Sequence, residues 1–215
     1  MSISSEMVRK LREETGAGMM DCKTALVEAQ GDAEAARELL RKKGLAAAAR
    51  KAGRLASEGM VGSYIHPGAK IGVLVEVNCE TDFVAKTDEF QSLVKEIAMH
   101  IAASSPLYVA KDEVPPEVIA KEKEIYKAQA AAQGKPANVQ EKIADGKVKD
   151  YYQQFCLIEQ PFVRDTKLTV GQLVQERIAL IKENIVVRRF TRFRVGEESA
   201  PRPSAGSGAV TVPVG

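Results

Sequence analysis

Apolar residues recur along this chain with two different periods, and the change from one to the other near residue 59 divides it. Before that point the spacing is helical. Val8 and Leu11 stand three apart behind Ser4 and Ser5, whose hydroxyls suit the free N–H groups of a helix start. Thr15-Gly16-Ala17-Gly18 then ends the run with residues that tolerate positive φ. A second helix is predicted over 19–29, closed by Gly31, and a third behind Asp32 as its cap, with Ala36, Leu39 and Leu40 facing inward and Gly44 stopping it. Three short helices of about 50 residues bury too little apolar area to be more than marginal by themselves, and such units commonly serve as docking modules. The Ala-rich stretch 41–54 reads as a linker helix.

Beyond residue 59 the period shortens to two. Residues 59–66 and 70–79 are rich in Val, Ile and Tyr and flank Pro67-Gly68-Ala69, the pattern of a β-hairpin. Ile71, Val73, Val75 and Val77 share one face of the second strand, while Gly72, Leu74, Glu76 and Asn78 make a mixed row on the other. The helical period returns after a loop at 80–87. Asp88 and Gln91 have capping-box spacing, and Phe90, Leu93, Val94, Ile97, Ala98 and Ile101 form a stripe that must lie across the sheet. After a connector at 106–116, the segments 117–132 and 138–154 carry alternating charge and few apolar positions around Gln133-Gly134-Lys135-Pro136. Each alone would be marginal in water, so they are expected to pair as a thin antiparallel helical hairpin protruding from the body. Thr169 and Gln172 repeat the capping-box spacing ahead of Val170, Leu173, Val174, Ile178 and Ile181, and the β-branched and aromatic run 185–195 reads as the closing strand.

The fold class that follows is α+β: an N-terminal three-helix bundle, then a small antiparallel-sheet core with packed helices and a protruding helical hairpin. The expected organisation is a docking domain and linker over 1–53, a core over 54–196 that includes the hairpin at about 117–154, and a disordered tail over 197–215, where Pro, Gly and Ser crowd together.

Composition narrows the function more than it fixes it. The chain has 215 residues, 45% of them hydrophobic and 28% charged, which supplies one or two real cores. Its net charge of +2 is too small for the whole-molecule field to demand a nucleic-acid or membrane partner, so any basic patch must be local. Two runs qualify: Arg41, Lys42, Lys43, Arg50, Lys51 and Arg54, and then Arg188, Arg189, Arg192 and Arg194. Each reads either as a solvated face or as a contact for an acidic partner or RNA phosphates. The longest aliphatic stretch, 71–77, is interrupted by Glu76, and the N-terminal residues lack the apolar centre of a secretory signal, so no membrane association is expected and a cytoplasmic location is.

Reactive chemistry is sparse. Cys22, Cys79 and Cys156 lie far apart without C-x-x-C spacing, which suits reduced thiols, and with only His66 and His100 as imidazoles no metal site is expected. Walker, G-x-S-x-G and H-E-x-x-H motifs are missing, and Gly16-Ala17-Gly18 lacks the third glycine and preceding strand of a dinucleotide site, so no cofactor is expected either. Cys79 stands beside Glu80 and Asp82, carboxylates that disfavour a thiolate. A bond-making enzyme is not predicted.

What stands out is Thr81-Asp82-Phe83-Val84-Ala85-Lys86, a loop with apolar bulk among polar neighbours. Phe83 or Val84 could fold back onto the following helix as a hydrophobic staple, or offer an aromatic anchor to a partner. Met19 and Met20 pose the same choice between core filler and an adaptable contact surface.

Two stretches carry a resemblance. Val8-Arg9-Lys10-Leu11-Arg12-Glu13-Glu14-Thr15-Gly16-Ala17-Gly18-Met19-Met20-Asp21-Cys22-Lys23 and Glu76-Val77-Asn78-Cys79-Glu80-Thr81-Asp82-Phe83-Val84-Ala85-Lys86 resemble the two signatures of bacterial translation elongation factor Ts, in order. The segments 97–103, 160–163 and 169–172 are also similar to family segments, so the likeness leaves only the tail outside. The resemblance implies a guanine nucleotide exchange factor for elongation factor Tu, the GTPase that delivers aminoacyl-tRNA, with no direct nucleic-acid contact required. It further implies that the N-terminal helices are ubiquitin-associated-like and dock on the GTPase through Arg12, Met19 and Met20. Thr81, Asp82, Phe83 and Val84 would form the loop associated with dislodging Mg²⁺, Phe83 wedging between helices of the GTPase and Asp82 supporting that contact. Longer members carry two related core subdomains, whereas this chain has material for one. A homodimer joined sheet edge to sheet edge would supply the second half; the alternative is that one copy suffices. The rivals are an RNA- or ribosome-associated accessory protein using the basic runs, and a peptide-binding adaptor built on the N-terminal helices.

Overall fold

A computed structural model describes residues 3–197. The expectation of a disordered tail lies outside the described residues, except at Glu197. That residue is tied down: its N–H donates to the Arg194 carbonyl and its carboxylate receives the Arg192 guanidinium at 2.7 Å.

The chain begins with α1 (Ser5–Thr15), α2 (Met19–Glu28) and α3 (Ala33–Ala49). Ser4 Oγ accepts the Met7 N–H, and Gly16 leaves α1 at a φ of 67°, a left-handed conformation that glycine adopts without the Cβ clash. Asp32 Oδ1 accepts the Glu34 and Ala35 N–H groups at the head of α3. Val8, Leu11, Cys22, Ala25, Leu26 and Ala36 form a small core of their own between these helices.

Next come β1 (Glu58–Ile65), β2 (Ile71–Cys79), the single turn α4 (Asp82–Ala85), α5 (Asp88–Ser104), α6 (Pro116–Ala132) and α7 (Ala137–Phe155). The chain closes with β3 (Pro161–Phe162), β4 (Asp165–Thr169), α8 (Val170–Ile181) and β5 (Val186–Arg194). β2 lies between β1 and β5, antiparallel to both, while β3 and β4 pair separately. Glu76 faces Arg189 but Val77 faces Val187, so Arg188 is the extra residue of a bulge in β5. Val73, Val75 and Val77 point to the face covered by α5, whose Phe90, Leu93, Val94, Ile97, Ala98 and Ile101 are all buried there. The mixed architecture is the α+β class.

Two local expectations change. α3 does not stop at Gly44 but continues through the Ala-rich stretch, whose helix propensity outweighs one glycine. Gly44 is a packing residue instead: a Cβ there would stand 3.1 Å from the Cβ of Ala179, so its absence lets α3 lie close against α8. α3 therefore runs unbroken from the bundle onto the larger core, which its Ala48 joins. The cap of α5 is Thr87, not Asp88. Thr87 Oγ1 accepts the Phe90 N–H at 3.4 Å while donating to the Val84 carbonyl at 2.8 Å, which leaves Asp88 in the first turn, where its charge favours the helix N-terminus. The second capping box forms as expected, with Thr169 and Gln172 each accepting the other's backbone N–H.

α6 and α7 pack as a hairpin with Ala130, Ala144 and Val148 buried, and ion pairs Lys123–Asp145 and Lys127–Glu141 cross it. At its base the buried Gln160 donates from its amide to the Gln154 carbonyl and accepts from His100 at 2.9 Å. No helix among the described residues is long and apolar enough to cross a membrane.

Candidate functional site

The loop that stood out in the sequence is ordered from its ends inward. Thr81 is the N-cap of α4, with its Oγ1 accepting the Val84 N–H at 3.3 Å. The Thr81 hydroxyl donates its own proton to Glu183 Oε1 at 2.7 Å. Glu183 Oε2 accepts two backbone N–H groups, from Glu80 at 3.1 Å and Thr81 at 3.0 Å. In return Glu80 Oε1 accepts the Asn184 N–H at 2.6 Å, and the Asn184 side-chain amide donates to the Arg54 carbonyl at 2.8 Å. The Arg54 guanidinium lies 3.6 Å from the same Glu80 carboxylate. The root of α4 is thereby joined to the α8–β5 connection and to the strand entry that follows α3.

Val84 and Phe83 divide the two roles that spacing left open. Val84 and Ala85 are buried in the main core, whereas Phe83 is 79% exposed. An aromatic ring left in water beside a residue fixed in the core is the uncommon arrangement, since burial of such a ring is ordinarily favourable by about 2 kcal/mol. Asp82 is exposed and paired with Lys86 one turn on, and that hydrogen bond and charge raise the Lys86 ammonium above its usual range. Thr81, Asp82, Phe83 and Val84 thus occupy one turn, in which Thr81 is held by Glu183, Asp82 by Lys86 and Val84 by the core, and Phe83 alone of the four projects without such a tie.

The other sequence-predicted residues sit on the bundle. Arg12 lies in the last turn of α1, and Met19 and Met20 open α2 with 54% and 69% exposure, so neither methionine is core filler. Arg12 and Met19 line a cleft of about 1000 Å³ between the bundle and α8, which Arg41, Lys51 and Lys182 make predominantly basic; Met20 is not part of its wall. Residues 81–84 belong to the core and Arg12, Met19 and Met20 to the bundle, so the structure forms two separate groups.

The basic runs are neutralised only in part, for among the described residues Arg41, Arg50, Lys51 and Arg188 form no ion pair. Lys42, Lys43 and Arg54 pair with Glu38, Glu28 and Glu80, and Arg189 and Arg192 with Glu76 and Glu197. Salt bridges at such surfaces contribute little stability, yet each carboxylate weakens the local field that an RNA backbone would need. Cys79 is buried, and its thiol is pushed up first by burial and then by Glu183, with Glu58 adding to it. The carboxylates that disfavour its thiolate are thus Glu183 and Glu58, and not the sequence neighbours Glu80 and Asp82. Among the described residues no three His, Cys, Asp or Glu side chains gather as a metal site would require.

Glu183 and Asn184 are the residues that sequence reasoning missed, while Arg54, read there only as part of a basic run, joins them through its carbonyl and its guanidinium. Glu183 is more than 100 positions from the loop it fastens, and a lone carboxylate after a helix carries no local signal of such a contact.

The class these observations define is an α+β core joined to a helical bundle, with one aromatic side chain left exposed on a capped turn. Comparison with known sequences makes that specific. A family model described as "Elongation factor TS" matches residues 5–197. A curated relative named "Elongation factor Ts" from Carboxydothermus hydrogenoformans is 60% identical over 200 residues, covering 93% of this chain and 92% of the relative. One of the same name from Geotalea uraniireducens is 59% identical over 204 residues, covering 95% and 94%, and one from Caldanaerobacter subterraneus subsp. tengcongensis is 60% identical over 195 residues, covering 91% and 98%. The chain belongs to the elongation factor Ts family, and its role lies in translation elongation.

Proposed function

We propose that this chain is a guanine nucleotide exchange factor for elongation factor Tu, acting without bond-making chemistry of its own. The observation that carries this reading is Phe83, exposed on a capped turn whose next residue, Val84, is locked into the core. GDP on a GTPase is held by backbone amides around its phosphates, a lysine and Mg²⁺. A factor that inserts an aromatic ring beside that cradle and binds the nucleotide-free form more tightly than the GDP form accelerates release. By linkage, nucleotide weakens the factor's grip to the same extent. Arg12, Met19 and Met20 supply docking contacts on the bundle, and Asp82, Thr81 and Val84 hold the wedge. Nothing in this scheme needs a nucleic acid, and the pairing of part of each basic run with carboxylates weakens the field that an RNA-bound accessory role would use.

The proposal extends to a second copy of the chain. Val61, Ile65, Leu74 and Phe193 are exposed and fall on the sheet face opposite α5, and β1 and β5 are both edge strands. A twofold partner laid on that face would cover the apolar surface and supply the second core unit that longer relatives are expected to carry.

Stopped-flow release of fluorescent GDP from elongation factor Tu tests the wedge. The wild-type chain is expected to accelerate release strongly, and Phe83→Ala to lose roughly thirtyfold of that acceleration, the scale of an aromatic hot spot. Because the ring touches no core, the melting temperature should not change. Equal acceleration by both proteins would overturn the wedge while leaving family membership intact.

A further inference from the structure

We propose that Glu183 is a positioning residue for nucleotide exchange: its carboxylate fixes the backbone turn from which Phe83 is presented. This rests on the reading of Phe83 as the wedge. A four-residue helix has no persistence of its own, because a single turn fixes several dihedral angles for very few hydrogen bonds. Its geometry must therefore be imposed from outside. On the C-terminal side Val84 and Ala85 do so by burial. On the N-terminal side the work falls to Glu183, which receives three donors on its two oxygens: the N–H groups of Glu80 and Thr81 and the Thr81 hydroxyl.

The third of these decides the geometry of the cap. With its proton committed to Glu183, the Thr81 hydroxyl has its lone pairs free to accept from Val84 N–H, so one carboxylate sets both the peptide planes at the root of the turn and the rotamer of the residue that caps it. The contact is reciprocal, since Glu80 Oε1 accepts the Asn184 N–H and the two segments clasp each other in both directions. Phe83 lies between these anchors with only its side-chain torsions free, and a ring carried on an already fixed backbone loses less entropy on docking. Glu183 touches neither the nucleotide nor the metal in this scheme; it acts through Phe83.

The test is the limiting rate of fluorescent GDP release from elongation factor Tu at saturating factor, for wild type, Glu183→Ala, Glu183→Gln, Phe83→Ala and the Phe83→Ala/Glu183→Ala pair. Loss of charge-assisted hydrogen bonds should lower the Glu183→Ala limiting rate roughly ten- to a hundredfold. Docking by the bundle remains, so the half-saturating concentration should move less than the rate. Glu183→Gln keeps one oxygen for the two N–H groups but turns an amide donor toward Thr81, so its rate should fall between the two. In the Phe83→Ala background Glu183→Ala should bring no further loss, which a general loss of structure would not reproduce.

A Glu183→Ala rate equal to wild type, with Phe83→Ala impaired, overturns the role of Glu183 and spares the wedge. A Phe83→Ala rate equal to wild type overturns the wedge, and the positioning role with it. An undiminished loss on removing Glu183 from Phe83→Ala also overturns the proposal, because Glu183 would then act elsewhere. Should Glu183→Ala lose its native circular dichroism spectrum, Glu183→Gln carries the test alone, and a wild-type rate in it is the overturning result.

Discussion

His100 is fully buried in α5, and its two ring nitrogens have different duties. The Val163 N–H donates to Nδ1 at 3.2 Å, so Nδ1 carries no proton; Nε2 carries it and donates to Gln160 Oε1 at 2.9 Å. Burial, opposed by the Gln160 hydrogen bond, lowers the folded pKa below the usual 6.5. The unfolded chain therefore takes up a proton at a higher pH than the folded one. This histidine weakens the fold as pH falls below 6.5, increasingly until the folded group also titrates. His100→Asn, whose Oδ1 can accept the Val163 N–H, removes that titration. Between pH 7 and 5 the wild type should lose more unfolding free energy than the variant, by up to about 1.4 kcal/mol per pH unit, as read from urea unfolding at each pH. Parallel stability curves for the two proteins would refute this assignment. The sequence offered His100 only as a possible metal ligand to be set aside. Its actual partners, Gln160 and Val163, are 60 and 63 positions away. The same limit separates Phe83 from Val84: both are apolar and adjacent, and only the assembled core decides which one it takes.

Among the elements, the contact of α5 with the sheet depends on a missing side chain. Gly62 in β1 faces α5, and a Cβ placed there would lie 2.3 Å from Val94 Cγ1. Gly62→Ala must push the helix outward or force Val94 from its rotamer, and should destabilise the protein by about 1–3 kcal/mol, read as a fall in thermal midpoint. An unchanged midpoint would mean that the helix stands further from the sheet than described. Elements whose cause is local were legible beforehand: the hairpin turn at 67–69, the caps at Ser4, Asp32 and Thr169, and the stripe of α5 all follow from adjacent residues. Gly44 is ambiguous in the sequence because helix-stopping and close packing call for the same residue, and only the arrival of Ala179 from α8 distinguishes them. The cap of α5 is ambiguous in the sequence because Thr87 and Asp88 both suit it, and the Val84 carbonyl that engages Thr87 belongs to a turn whose formation depends on the core.

At the scale of the whole molecule, the outer face of the sheet makes a prediction about mass. If a second copy covers Val61, Ile65, Leu74 and Phe193, the chain should sediment at twice its 23.3 kDa at micromolar concentration. Leu74→Glu, at the centre of that face on β2, should return it to a single-chain mass without altering its helix content. A wild-type chain that sediments singly would remove the dimer and leave the exchange reading untouched. Fold class was readable because the switch of period from helix to strand is a property of long segments. The fastening of the candidate site was not, because each of its ties joins residues brought together only by the complete topology.

The unbroken course of α3 has a consequence for how a partner is met. A helix packed against α8 and contributing to both cores, Ala36 to one and Ala48 to the other, joins the bundle to the body without a break in its course. On the proposed reading the GTPase then faces a two-pronged body, in which the distance and angle between the methionine tip and the aromatic tip are already set. For modules on a loose tether, the second touch must wait for a chain to find its target, at a local concentration that falls with tether length. Here that wait is absent: once either prong has landed, the other already hovers over its own.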